Sequence, residues 1–212
     1  MQLPRVYPLT DVQMSGLSLV QQVKLLSSGG ASLIQLREKH MAARELYEQV
    51  KAAIAVAVPW GVQLIINDRV DIALAVGAQG VHLGQDDMPP EAARKLLGPD
   101  AVIGYSTHNI EQAIAATKLP IDYLAIGPIF ATTTKSDTAP VVGLEGLRAV
   151  REAIGEFPLV AIGGITRENA LEVIHAGADS VAVISALLSN STGITKATRS
   201  LVQGLQEIPR LT

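Results

Sequence analysis

Short apolar segments recur along the chain at intervals of roughly 25 residues, and longer stretches of helical pattern separate them. Eight segments read as strands: Arg5–Leu9, Ser32–Leu36, Gln63–Ile66, Gly80–Leu83, Ala101–Gly104, Tyr123–Ile126, Leu159–Ile162 and Ser180–Val183. They are nearly unbroken apolar runs rather than alternating ones. That pattern belongs to strands covered by helices on both faces, so the sheet should be parallel. Helical patterns run over Ala42–Val58, Pro90–Leu97 and Thr166–Ala176. Glycines stop three helices just before a strand, at Ser28-Gly29-Gly30, Val76-Gly77-Ala78 and Ala176-Gly177-Ala178, because glycine accepts the left-handed geometry that closes a helix. Asn109 and Thr166 suit helix N-caps, and Pro89-Pro90 suits a helix entry. Eight βα units in 212 residues point to a single (β/α)8 TIM barrel. An open doubly wound sheet is the alternative, but it usually has fewer strands at this length.

Composition narrows what such a barrel can do. Hydrophobic residues make up 48% of the chain and aromatics 3%, so the core must be built mainly from Ala, Val, Ile and Leu. The net charge of −3 argues against nucleic acid as a partner, since phosphate backbones attract basic surfaces. With no cysteine, disulfides, thiolate metal sites and cysteine nucleophiles are excluded. Neither a leader pattern nor a membrane span is evident, and a cytoplasmic location is expected. No linker or low-complexity segment interrupts residues 1–212, which read as one catalytic domain with a frayed end at Ile208–Thr212. A homo-oligomer is compatible with the sequence.

In a barrel of this kind, active sites lie at the C-terminal ends of the strands, and polar residues follow almost every one. Gln35-Leu36-Arg37-Glu38-Lys39 ends the second. If that strand extends, Gln35, Arg37 and Lys39 share one face and present an amide and two cations to an anion. A solvated strand end is the plainer alternative. Asn67-Asp68-Arg69 follows the third strand and His82-Leu83-Gly84-Gln85-Asp86-Asp87 the fourth. One or two carboxylates beside substrate phosphates is the usual Mg²⁺ arrangement. Asp68 and Asp87 fit it, although both also suit helix N-caps, and spacing leaves Asp86 open as the ligand in place of Asp87. Ser106 after the fifth strand suits either a phosphate contact or a turn, while His82 and His108 fit no assigned role.

After the sixth strand, Gly127 to Thr138 concentrates hydroxyls, including Thr132, Thr133 and Thr134, beside Lys135, as an anion-binding loop or lid would. Gly163-Gly164 follows the seventh strand, and Ile184-Ser185 heads a helix after the eighth. Barrels often build a phosphate site there from backbone N–H groups. Two anion sites emerge, one cationic with carboxylates and one nearly neutral. They suit a transferase that joins two phosphorylated small molecules.

Gln35-x-Arg37-x-Lys39, Asn67-Asp68-Arg69, His82 to Asp87, Gly127-Pro128-Ile129-Phe130, Thr132-x-Thr134-Lys135, Ala161 to Ile165 and Ile184-Ser185-Ala186 together resemble the thiamine phosphate synthase family. The resemblance runs from about Tyr7 to Leu187. It implies transfer of a pyrimidinylmethyl group from 4-amino-5-hydroxymethyl-2-methylpyrimidine diphosphate to the nitrogen of a thiazole phosphate. The products would be thiamine phosphate and pyrophosphate, formed through a pyrimidine carbocation. It further implies Mg²⁺ on Asp68 and Asp87. The diphosphate would meet the Gln35, Leu36, Arg37, Glu38, Lys39 stretch with Asn67, Ser106 and Lys135; of these, Arg37, Lys39 and Lys135 would be catalytic and Gln35 would address the pyrimidine. The thiazole phosphate would meet Thr132, Thr133, Thr134, Gly164, Ile184 and Ser185. Ala131 stands where the family often has proline. The thiazole tautomerase shares the fold and the last two motifs, but its pattern lacks the full Gln-x-Arg-x-Lys set and the Thr-x-Thr-Lys loop. A non-catalytic sensor of phosphorylated ligands would need no carboxylate pair beside three cations.

Overall fold

A computed structural model of the chain describes residues 2–132, 140–206 and 208. Eight parallel strands form one sheet: β1 Val6–Pro8, β2 Leu33–Leu36, β3 Gln63–Asn67, β4 Gly80–Leu83, β5 Val102–Thr107, β6 Tyr123–Ile126, β7 Leu159–Ile162 and β8 Ser180–Val183. Their order around the sheet, β1-β8-β7-β6-β5-β4-β3-β2, follows the chain. A parallel bridge between Leu9 and Gln35 joins β1 to β2, with Thr10 N donating to Gln35 O at 2.9 Å. The sheet therefore closes on itself as a TIM barrel.

Around it lie α1 Val12–Ser15, α2 Leu19–Ser28, α3 Ala43–Ala57, α4 Val70–Val76, α5 Pro90–Leu97, α6 Ile110–Ala116, α7 Gly143–Ile154, α8 Ala170–His175, α9 Ser185–Leu188 and α10 Ile194–Gln206. Burial follows from this shell. Every residue of β2, β4, β6 and β8 is buried, because one face of each strand meets the barrel interior and the other meets helices.

Most predicted boundaries hold to within a residue or two, and three depart with clear causes. The fifth strand runs three residues past Gly104, because Ser106 and Thr107 continue the register against Ala125 and Ile126 of β6. The second strand stops at Leu36, so Arg37 and Lys39 do not extend a period-two face from Gln35. Thr166 does not stand directly before the helix: α8 begins only at Ala170, and Thr166 caps the preceding turn, its Oγ1 accepting from Glu168 N at 3.3 Å and its N donating to Asn169 Oδ1 at 2.8 Å. By contrast, Asn109 caps α6 by accepting from Gln112 N at 2.8 Å, and Pro90 opens α5. Of the predicted frayed end, Ile208 O accepts from Arg5 Nη2, and residues 209–212 lie outside the described residues.

Candidate active site

The C-terminal ends of the strands gather the polar residues singled out from sequence. Gln35, the third residue of β2, is buried inside the barrel and donates from Nε2 to the Tyr7 hydroxyl at 3.2 Å. Leu36 is buried in the core, so only its backbone could serve a ligand. Just past the strand, Thr10 Oγ1 accepts from Arg37 N at 2.9 Å and turns the chain beside β1. The Arg37 guanidinium then meets Asp11 at 3.4 Å, while its Nε is buried without a hydrogen-bond partner among the described residues. A buried guanidinium N–H left unpaired is costly, and an anion at the barrel mouth would relieve it. Glu38 Oε1 accepts from His40 N at 2.8 Å and closes the following turn.

Lys39, half-exposed, reaches back to Asp68, with Nζ 3.7 Å from Oδ2. Asp68 sits at the end of β3 with φ of 62°, in the left-handed region that residues other than glycine seldom enter. Its N–H donates to His82 O at 2.9 Å, which ties the ends of β3 and β4 together. Beside it, Asn67 Nδ2 is buried with no partner among the described residues. Asp87 Oδ2 accepts from Gly84 N at 2.6 Å. Neither aspartate caps a helix, since α4 is preceded by Arg69 and α5 by Pro89 at the cap positions. Asp86 is exposed, whereas Asp87 is partly buried.

A second cluster forms after β7 and β8. Thr132, Gly163, Gly164, Ile184 and Ser185 line one small cleft. Gly164 has φ of 63°, and a Cβ there would lie 2.7 Å from Phe130 Cβ and 2.8 Å from Ala131 O. Only glycine lets this backbone and the β6 loop approach so closely. Ser185 begins α9, with Ile184 at the cap position, so both stand at a helix start. Thr133, Thr134 and Lys135 lie outside the described residues.

The two histidines that have no role from sequence both have partners. His108 Nδ1 lies 2.8 Å from Gly127 O and so holds the start of the β6 loop. His82 Nε2 lies 2.9 Å from Ser106 Oγ and its Nδ1 lies 3.0 Å from the Tyr123 hydroxyl. The Tyr123 hydroxyl is in turn 2.9 Å from that of Tyr7. Burial pushes both tyrosine hydroxyls far above their ordinary pKa, so both stay neutral. Sequence reasoning does not single out Tyr7 and Tyr123. The available signal is a tyrosine inside two apolar strands of a chain that is only 3% aromatic, since a buried tyrosine usually needs a partner for its hydroxyl.

Comparison with known proteins agrees with this arrangement. The chain matches the family described as thiamine monophosphate synthase over residues 6–187. It is 46% identical over 206 residues to a thiamine-phosphate synthase of Chloroflexus aurantiacus, covering 96% of this chain and 94% of that one. A thiamine-phosphate synthase of Koribacter versatilis is 51% identical over 193 residues, with 89% and 90% covered. Among solved structures, thiamine phosphate pyrophosphorylase from Pyrococcus furiosus superposes with a TM-score of 0.87 at 40% identity, covering 96% of each chain. A 2-keto-3-deoxy-6-phospho-gluconate aldolase from Zymomonas mobilis superposes with a TM-score of 0.73 at 16% identity, with 99% and 95% covered, and shares the fold alone. With its barrel and these relatives, the chain belongs to the thiamine monophosphate synthase family.

Proposed function

We propose that this transferase joins 4-amino-5-hydroxymethyl-2-methylpyrimidine diphosphate to a thiazole phosphate, releasing pyrophosphate and thiamine phosphate. The observation that carries the reading is the pairing of two unlike polar clusters, each suited to an anion, on one barrel mouth. Arg37, Lys39, Asn67 and Ser106 stand on the β2, β3 and β5 side, and Gly164, Ile184 and Ser185 on the β7 and β8 side. Arg37 Nε and Asn67 Nδ2, buried and unpaired among the described residues, are donors to which a diphosphate would bring acceptors.

Mg²⁺ fits the residues present. Asp68 and Asp87 end adjacent strands, neither is committed to capping, and Asp87 keeps Oδ1 beyond its bond to Gly84. They would hold the ion, which supplies positive charge beside the leaving diphosphate. The chain's own groups do the remaining work. Arg37 and Lys39, with Lys135 from the β6 loop, bind the diphosphate and stabilise the negative charge that grows as its carbon–oxygen bond breaks. Gln35 orients the pyrimidine, with the rest of the Gln35–Lys39 stretch, Leu36 and Glu38 included, shaping that side of the pocket. Gly164, Ile184 and Ser185, with Thr132, Thr133 and Thr134, hold the thiazole phosphate so that its ring nitrogen meets the pyrimidine carbocation. No general base is required for this capture. Among the described residues, no helix is long and apolar enough to cross a membrane, and the reading extends to a cytoplasmic enzyme acting as one catalytic domain.

The test is an endpoint assay with both phosphorylated substrates, with and without Mg²⁺, scoring thiamine phosphate and pyrophosphate. Mg²⁺-dependent formation of both products is expected. Folded protein that yields neither product, beside an active control enzyme, would overturn the reading and favour a tautomerase or a sensor.

A further inference from the structure

Inside the barrel, five polar side chains form an unbroken line: Gln35 Nε2 to Tyr7 at 3.2 Å, Tyr7 to Tyr123 at 2.9 Å, Tyr123 to His82 Nδ1 at 3.0 Å, and His82 Nε2 to Ser106 Oγ at 2.9 Å. The three middle members belong to no substrate contact assigned above, yet all are buried. The fold makes room for the line at one place. Gly104 of β5 sits in register between His82 of β4 and Tyr123 of β6. A Cβ on it would fall 2.3 Å from the Tyr123 hydroxyl and 2.5 Å from His82 Nδ1, so no larger residue fits there without breaking the contact.

If each hydroxyl passes its one proton along the line, the line has two directions. Each neutral tyrosine has one proton to donate, and a neutral imidazole has one N–H. If Gln35 donates to Tyr7, then Tyr7 donates to Tyr123 and Tyr123 donates to His82 Nδ1. His82 then carries its proton on Nε2 and donates to Ser106, whose own proton is free to point elsewhere. In that direction Gln35 offers its Oε1, which accepts no hydrogen bond among the described residues, and Ser106 offers a donor. In the reverse direction Ser106 donates inward and His82 carries its proton on Nδ1; when Tyr7 then donates to Gln35, the amide turns and offers N–H instead.

We propose that Tyr7, Tyr123 and His82 act as a polarity relay, positioning residues that hold Gln35 as a hydrogen-bond acceptor and Ser106 as a donor at the same time. The inference rests on the proposed substrate. A 4-aminopyrimidine needs an acceptor at Gln35 and its diphosphate needs a donor at Ser106, so both ends of one molecule favour the same direction. A 4-oxopyrimidine favours the reverse direction at one end and opposes it at the other. The relay thus makes rejection of the deaminated base depend on groups that do not touch it.

Two measurements test this. In ¹⁵N-histidine-labelled protein without ligands, nitrogen NMR should find His82 protonated on Nε2 alone, and Tyr123→Phe should give a mixture of tautomers. A His82 proton on Nδ1, or a tautomer indifferent to Tyr123→Phe, overturns the relay. Separately, calorimetry with Mg²⁺ and without thiazole phosphate compares binding of the 4-amino pyrimidine diphosphate and its 4-oxo counterpart. Tyr7→Phe and Tyr123→Phe should each reduce the amino-over-oxo preference about tenfold, the worth of one buried hydrogen bond, and leave thiazole phosphate binding unchanged. Equal weakening of both pyrimidines would make the tyrosines merely structural and sink the proposal. If the wild type binds neither pyrimidine, it is the substrate reading that has failed, and the tautomer measurement alone decides the relay.

Discussion

At the N-terminal end of the barrel, Arg94 of α5 and Arg151 of α7 engage carbonyl and carboxylate groups with every nitrogen of the guanidinium, whereas at the C-terminal end Arg37 has a buried Nε without a partner among the described residues. Arg94 donates to Pro120 O, Gly98 O, Pro99 O and Asp122. Arg151 donates to Gly177 O, Phe157 O and Asp179, two βα units later. The two clamps share one design: each aspartate lies 28 residues beyond its arginine and also accepts from the first residues of a neighbouring strand, Ile103 N and Leu159 N. They close loops that would otherwise bury unpaired carbonyls. Among the described residues, the Arg37 guanidinium bonds only to Asp11, at 3.4 Å, and its Nε is left without a partner. The same residue type is a structural staple where its donors are filled and, in the proposed function, a binding group where they are not. Barrels commonly divide in this way, with stability at the bottom and chemistry at the top.

The largest effect should come from the unfilled end. Arg37→Ala should lower turnover by roughly 10²–10³-fold, as loss of a group stabilising developing negative charge does elsewhere, and should leave the urea midpoint nearly unchanged. A large stability loss would move Arg37 into the same class as the clamps and break the comparison.

Next, Arg151→Ala should destabilise the fold by about 3 kcal/mol, since it strands buried carbonyls and Asp179 together. Urea unfolding reads this directly, and the kinetic constants of the remaining folded enzyme should stay close to wild type. If turnover falls while stability holds, the division between the two ends fails.

A smaller effect sharpens the assignment at the top. Asp87→Asn should weaken activation by Mg²⁺ at least tenfold, about 1.4 kcal/mol, while Asp86→Asn changes it little. The opposite order in a Mg²⁺ titration would make the exposed Asp86 the ligand. The smallest effect belongs to an ion pair on the same face that binds nothing else. Arg69 holds Asp71 at 2.6 Å and pulls the carboxyl below its ordinary pKa, yet Asp71 is 64% exposed. Asp71→Asn should change stability by less than about 0.5 kcal/mol and leave activity alone. A larger change would show that charge at the barrel mouth matters apart from ligand contact.

Much of the site is legible in the amino-acid sequence. The βα repeat places the strand ends, and the barrel rule turns those ends into a site, so Arg37, Asp68, Asp87, Gly164 and Ser185 stand out as residue types that bind anions or cations. What the sequence hides is any pairing across the barrel. Ser106 reads equally as a turn because its partners in β6 are distant in the chain, and it is a strand residue bonded to His82. Asp68 and Asp87 read equally as helix caps, and only the helix starts at Val70 and Pro90 remove that role.

The alternation of apolar segments and helical patterns is enough by itself to determine eight βα units, because side-chain periodicity and glycine stops are local properties of the chain. Tertiary structure alone decides which side chains meet. Tyr7 and Tyr123 are separated by 116 residues, and no local pattern foretells that their hydroxyls share a hydrogen bond. Closure of the sheet brings them face to face in an interior where a hydroxyl without a partner would be costly.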